Sequence, residues 1–153
     1  MEDNSLLSLE NITMPFSLEA EQAVLGSVLV DPSCLSQAAV YISPESFYLP
    51  QHNAIFAAML MLDGMGTKID PLVVLDQLVQ QGIYDSAAGK NYLFELAQMV
   101  PSTANVEMYA KIVREKFYIR TLIKISSETI ESAVAQEETA DALLDNAEQK
   151  IYN

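Results

Sequence analysis

The sequence predicts an all-α fold, with a compact helical head followed by a long antiparallel helical hairpin. Three observations carry this. Glycine and proline are scarce, 5 and 6 in 153 residues, while Ala, Leu, Ile and Gln are frequent, a balance that favours helix. Prolines stand where helices begin, at Asp31-Pro32, Pro50 and Asp70-Pro71, because the ring presets φ and the missing N–H is not needed there. From Ser102 onward the chain contains neither Pro nor Gly.

The first 14 residues mix Ser, Asn and acids with scattered Leu and no clear period, and are expected to form a mobile tail. Ser17 can cap a first helix over Leu18 to Val30, with Glu19 and Glu21 suited to the positive end of the helix dipole. Leu18, Val24, Leu25, Val28 and Leu29 form its apolar face. Gly26 costs stability in mid-helix, which points to a close helix crossing. Asp31-Pro32 opens a short second helix to about Tyr41. Ser43-Pro44-Glu45 is a turn, and Phe47 and Tyr48 are expected to anchor a connector in the core.

Pro50 starts a third helix that ends near Met65, burying Ile55, Phe56, Met59, Leu60 and Leu62, and Asp63-Gly64-Met65-Gly66 stops it. Asp70-Pro71 opens a fourth, to about Gln81, with Leu72, Leu75, Leu78 and Val79 as core positions. Asp85 to Gly89 is expected as a loop before a fifth helix, Lys90 to Met99, carrying Tyr92, Leu93, Leu96 and Ala97. Pro101 ends it. The head therefore spans 15–101 and the hairpin 102–153.

A sixth helix from Ser102 to about Gln136 would reach ~50 Å at the helical rise. Its far part must then project from the head or pack on something else. Gln136-Glu137-Glu138 makes the turn, and Thr139 caps a seventh helix with Leu143, Leu144, Ala147 and Ile151 on one face. Val106, Tyr109, Val113 and Phe117 can face one way on the long helix. Ile119, Leu122, Ile123, Ile130, Ala133 and Val134 continue as a stripe. Two helices enclose no core, so the return helix can cover only part of that stripe. An exposed remainder marks an interface, and two hairpins side by side make a four-helix bundle. The competing reading is a hairpin folded back on the head.

Composition bounds function. The formal charge of −13, from 21 acidic and 8 basic side chains, repels nucleic acid and anionic membrane and favours basic protein partners. A lone cysteine, Cys34, allows no disulfide within the chain and suits a reducing compartment. Residues 1–14 carry no Lys or Arg, unlike a signal or transit peptide. The longest apolar run, Ala54 to Leu62, is too short to cross a bilayer. A soluble, cytoplasmic protein is expected.

No catalytic set is visible. Gly64-Met65-Gly66-Thr67-Lys68 superficially resembles a phosphate loop, but Lys68 follows no Gly and no strand precedes it, so it reads as a helix stop. The acidic residues Glu138, Asp141, Asp145 and Glu148 read as a solvated face, since a bundle metal site needs Glu-x-x-His motifs from several helices. His52, the only histidine, reads as structural or surface, and Cys34 as a small half-buried residue. Lys111, Arg114, Lys116, Arg120 and Lys124 hold five of the eight basic residues. They read as a solvated helix with Lys111–Glu115 and Lys124–Glu128 pairs, or as a rim attracting the acidic return helix or an acidic partner.

Several ordered blocks are together specific. They are Pro15-Phe16-Ser17-Leu18-Glu19-Ala20-Glu21-Gln22-Ala23-Val24-Leu25-Gly26, Phe47-Tyr48, His52 with Ile55-Phe56 and Met59, and Tyr92-Leu93 with Leu96-Ala97. Val100-Pro101-Ser102-Thr103-Ala104-Asn105-Val106, Tyr109-Ala110 with Ile112-Val113, and Leu143-Leu144-Asp145-Asn146-Ala147-Glu148 follow. Over residues 15 to 153 the chain resembles the N-terminal domain of the DnaB-type bacterial replicative DNA helicase. The resemblance implies a non-catalytic collar domain whose hairpins pair between protomers, with six domains arranged as three dimers above a ring of ATPase domains. The hairpin interface would draw on Phe117, Ile119, Leu122, Ile123, Ile130, Val134, Leu143 and Leu144.

The resemblance also implies docking of the C-terminal helicase-binding domain of primase, contacts with a helicase loader, and Tyr92 as a candidate primase contact; a core tyrosine is the other reading of Tyr92. ATP and Mg would belong to a motor domain that this chain lacks, so no cofactor, ATP hydrolysis or unwinding is expected of it, and only weak DNA binding. The alternative is a free-standing helical adaptor of the same fold. One departure is that Ala88-Gly89 stands where the family has Gly-Gly.

Overall fold

Local capping sets where the head's helices start. Ser17 Oγ accepts from Ala20 N at 3.1 Å, Asp70 Oδ1 from Val73 N at 2.9 Å, and Asp85 Oδ1 from the N–H groups of Ala87 and Ala88 at 3.0 Å each. Each bond satisfies a donor that the first turn leaves free. The computed structural model describes residues 13–100 and 102–152. Among them lie α1 (Leu18–Val30), α2 (Cys34–Ala39), α3 (Pro50–Gly64), α4 (Pro71–Gln80), α5 (Ser86–Met99), α6 (Val106–Ala135) and α7 (Ala140–Tyr152). Short 3-10 turns occupy Pro44–Ser46 and Thr103–Asn105, and the described residues contain no strand. The all-α expectation holds. Most of the expected tail, residues 1–12, lies outside the described residues.

Three boundaries differ from expectation. α5 begins at Ser86, inside the segment read as a loop, because Asp85 caps it and Gly89 sits within the helix. The second helix begins at Cys34 and not at Pro32, since the Asp31 side chain turns back onto Ser33 N and Oγ, at 3.1 and 2.7 Å. The long helix starts at Val106, after a 3-10 turn capped by Ser102.

The structure forms two compact units, one spanning Phe16–Phe117 and the other holding residues 118–152 with 13–15. In the first, the core is Val24, Leu25 and Val28 of α1, Ile55, Phe56 and Met59 of α3, Val74 and Leu78 of α4, Leu93 and Leu96 of α5, and Val106, Ala110 and Val113 of α6. Those α6 residues place the start of the long helix with the head. Burying a Leu, Ile or Phe side chain contributes about 1.5–3 kcal/mol, so this cluster dominates the head's stability. Some expected core positions are exposed. Leu18 and Leu72 lie in first turns facing solvent, Val79 flanks the buried arc of α4, and the Tyr48 ring stacks on Phe16 with centroids 4.5 Å apart.

Gly26 carries the expected close crossing. A Cβ there would lie 2.2 Å from the Leu96 carbonyl oxygen and 2.4 Å from Val100 Cγ2, so hydrogen alone lets α1 and α5 approach this closely.

In the second unit, Gln136 adopts φ 55 to end α6, and Thr139 Oγ1 accepts from Ala142 N at 3.2 Å to begin α7. The turn and cap fall where the sequence puts them. Lys150 of α7 reaches Glu128 of α6 at 3.5 Å.

Candidate functional site

The first candidate is a polar row inside the head. The early α1 position of Glu21 aims its carboxylate at the N–H groups that follow Phe47. Glu21 Oε2 accepts from Tyr48 N at 2.7 Å and Oε1 from Leu49 N at 3.5 Å. The same Oε1 stands 2.7 Å from His52 Nδ1. His52 Nε2 lies 2.5 Å from the Tyr92 hydroxyl, which also accepts from Gln22 Nε2 at 3.3 Å. Glu21 and His52 are 1% and 0% exposed.

The Phe47 ring meets His52 edge-on at 6.3 Å, and the Tyr92 ring is nearly parallel to it, at 9° and 5.9 Å. A carboxylate only accepts, so the hydrogen on Nδ1 belongs to the histidine. The row joins α1, the 47–49 connector, α3 and α5. His52 is thus structural, as the sequence suggested, but with partners far along the chain. Half-buried Tyr92, the candidate primase contact, commits its hydroxyl to this row.

The second candidate is the surface of the hairpin unit. α7 lies against the side of α6 that carries Glu128, Thr129 and Ser132, where Leu143, Asn146, Ala147 and Lys150 line a cleft with them. At ~100° per residue this side is more than a third of a turn from the middle of the Ile119–Val134 stripe. The stripe is therefore left open: Leu122 is 54% exposed and Val134 73%, with Ile119 and Ile130 exposed and Ile123 half-buried. On α7, Leu143 is half-buried while Leu144 and Ile151 are exposed. Phe117, at the end of the head unit, is half-buried.

The basic residues do not form one rim. Lys111 Nζ and Arg114 Cζ lie 5.2 and 5.1 Å from the Tyr41 ring centroid, a cation–π contact worth about 0.5–1 kcal/mol at exposed sites. Arg120 is buried and donates to the Pro15 carbonyl at 3.0 Å. Glu128 pairs with Lys150, where the sequence suggested Lys124, because α7 brings that ammonium alongside.

Glu138, Asp141, Asp145 and Glu148 are all exposed. Among the described residues, no group of three or more His, Cys, Asp and Glu side chains is placed to hold a metal ion. No helix of the described chain is long and apolar enough to cross a membrane.

Cys34 is buried, 2% exposed, with Sγ 3.8 Å from the Thr103 carbonyl oxygen. Burial first, and the Asp31 charge second, push its thiol above the ordinary value, while the Thr103 contact pulls the other way. The native thiol therefore reacts slowly with a disulfide reagent at about pH 8, where a free cysteine already carries some thiolate. Unfolding in urea should speed the reaction by at least an order of magnitude; equal rates would contradict the burial. Since the folded value is raised, this group's contribution to stability is complete below the unfolded value, about 8.5. It is lost as pH climbs from there through the folded value.

The fold defines an all-helical head carrying a helical hairpin, with a buried polar row and an open apolar face. The family model described as the DnaB-like helicase N-terminal domain matches residues 13–115. The chain is 42% identical over 137 residues to the replicative DNA helicase DnaB of Geobacillus stearothermophilus, and 37% identical to the replicative DNA helicase DnaC of Bacillus subtilis. Each alignment covers 90% of this chain but 30% of the helicase. The crystal structure of the N-terminal domain of DnaB helicase from Mycobacterium tuberculosis superposes with a TM-score of 0.86 at 33% identity, over 92% of this chain and all of that one. The chain belongs to the family of DnaB-like replicative helicase N-terminal domains.

Proposed function

We propose that this chain is a collar domain of a hexameric replicative helicase, and that it joins copies of itself through the hairpin. The observation that carries the reading is the open stripe of Ile119, Leu122, Ile123, Ile130 and Val134, with Leu144 exposed on the return helix. A contiguous apolar stripe in water is costly, at about 25 cal/mol per Å². A second copy offers the same surface, which suits a two-fold interface. Three such dimers would make a collar.

The acidic surface suits a basic protein partner, and the family membership favours the C-terminal helicase-binding domain of primase, with a loader as a further partner. Tyr92 is our candidate on the primase side, where its part-exposed ring is available while its hydroxyl is held inside. ATP and Mg belong, in this reading, to the motor domain of the helicase. The domain itself has weak affinity for DNA and acts in the cytoplasm.

Replacing Ile130 by Asp puts a charge in the stripe of the hairpin unit. The expected result is at least a tenfold weaker dimer, about 1.4 kcal/mol per tenfold, with an unchanged unfolding midpoint of the head. Unchanged association would remove the distal stripe from the interface. Loss of both association and fold would reassign Ile130 to structure.

A further inference from the structure

Gln22, Tyr92, His52 and Glu21 form an unbroken hydrogen-bonded row from the surface of the head to its interior. Gln22 also lines a groove with Glu19, Ala23, Met99 and Tyr109. The inner end fixes the direction of the row, because Glu21 accepts from His52 Nδ1–H. With a neutral ring, Nε2 must accept, so the Tyr92 hydroxyl donates inward. The Tyr92 oxygen then takes a hydrogen from the Gln22 amide, and the Gln22 carbonyl is the end left for the groove.

A second ring proton, taken from solvent onto Nε2, reverses every link beyond the ring. Nε2–H now donates to the Tyr92 oxygen, and the Tyr92 hydrogen must turn away. The acceptor beside it is Gln22 Oε1, reached by rotating the amide half a turn. The Gln22 NH2 group then faces the groove.

We propose that this row is a proton-set relay that switches the groove-facing end of Gln22 from hydrogen-bond acceptor to donor. The groups around the ring suit this. Glu21 on α1 supplies the charge that the second ring proton meets, and two backbone N–H groups hold its carboxylate in place. Phe47 from the connector presents only its ring edge. Tyr92 of α5 is backed by Tyr84, whose phenol is pushed up by burial and then by Tyr92. Glu19 is the charged group in the groove itself. A partner group docking in the groove would thus meet a different Gln22 end on either side of the ring's titration.

His52 is the sole histidine, so its two ring nitrogens are unambiguous in nitrogen NMR of the intact chain. The intact chain is titrated downward from neutral pH to the onset of unfolding. The expected result is that the ring nitrogens converge on the imidazolium position and the Gln22 side-chain amide signals move with the same midpoint. In Tyr92→Phe the ring still titrates but Gln22 stays still. Three results overturn the proposal: Gln22 signals that stay flat through the ring's titration, Gln22 signals that follow equally in Tyr92→Phe, or a ring that stays neutral until the head unfolds. If Tyr92→Phe folds poorly, Gln22→Met replaces it. The ring midpoint should then differ from wild type, and an unchanged midpoint overturns the relay.

Discussion

Glu21→Ala should destabilise the head by about 3–5 kcal/mol, the summed cost of the donors it leaves without their acceptor. The loss is this large because one carboxylate serves three donors: Tyr48 N–H, Leu49 N–H and His52 Nδ1–H. Alanine removes the acceptor that all three share, and each buried group left unpaired costs about 1–3 kcal/mol. Domain stabilities are about 5–15 kcal/mol, so the variant should melt far earlier in urea, followed by far-ultraviolet circular dichroism. Glu21→Gln keeps an acceptor oxygen at the same place and should fall between the two. A midpoint for Glu21→Ala equal to wild type would mean that the row contributes nothing to the fold.

The second large effect is at Gly26. Gly26→Ala should cost about 1–3 kcal/mol through overpacking, even though alanine in an open helix position gains about 0.5–1 kcal/mol over glycine. The new methyl would meet the Leu96 carbonyl oxygen, a backbone atom that cannot rotate aside, so α1 and α5 must separate. Gly64→Ala is the matched control. No atom lies within 4 Å of a Cβ at that end of α3, so its change should be neutral or slightly stabilising. Opposite signs at the two positions would establish the close crossing, whereas two neutral results would contradict it.

How much was legible follows from the range of each interaction. Caps act over three residues, so Ser17, Asp70 and Thr139 announced their helices in the sequence. Asp85 to Gly89 reads as a loop in the sequence, yet Gly89 lies within α5. Its reason is tertiary: a Cβ there would sit 2.8 Å from Leu75 Cδ1 and 3.0 Å from Tyr84 Cβ. Glu21 and His52 are 31 residues apart, and His52 and Tyr92 are 40 apart. No local pattern links them, and Glu21 looked like a first-turn acid serving the helix dipole. The apolar stripe was legible because it is periodic. Which side α7 takes was not, since that depends on how Leu143 and Ala147 pack beside Thr129 and Ser132.

The hairpin account rests on association between copies of this chain. Sedimentation equilibrium over a wide range of concentrations tests it most directly. The account predicts a mass of two chains or a multiple of two at micromolar concentrations, falling toward one chain only on dilution. The mass of a single chain at every concentration would contradict it and would favour a monomeric helical adaptor of the same fold.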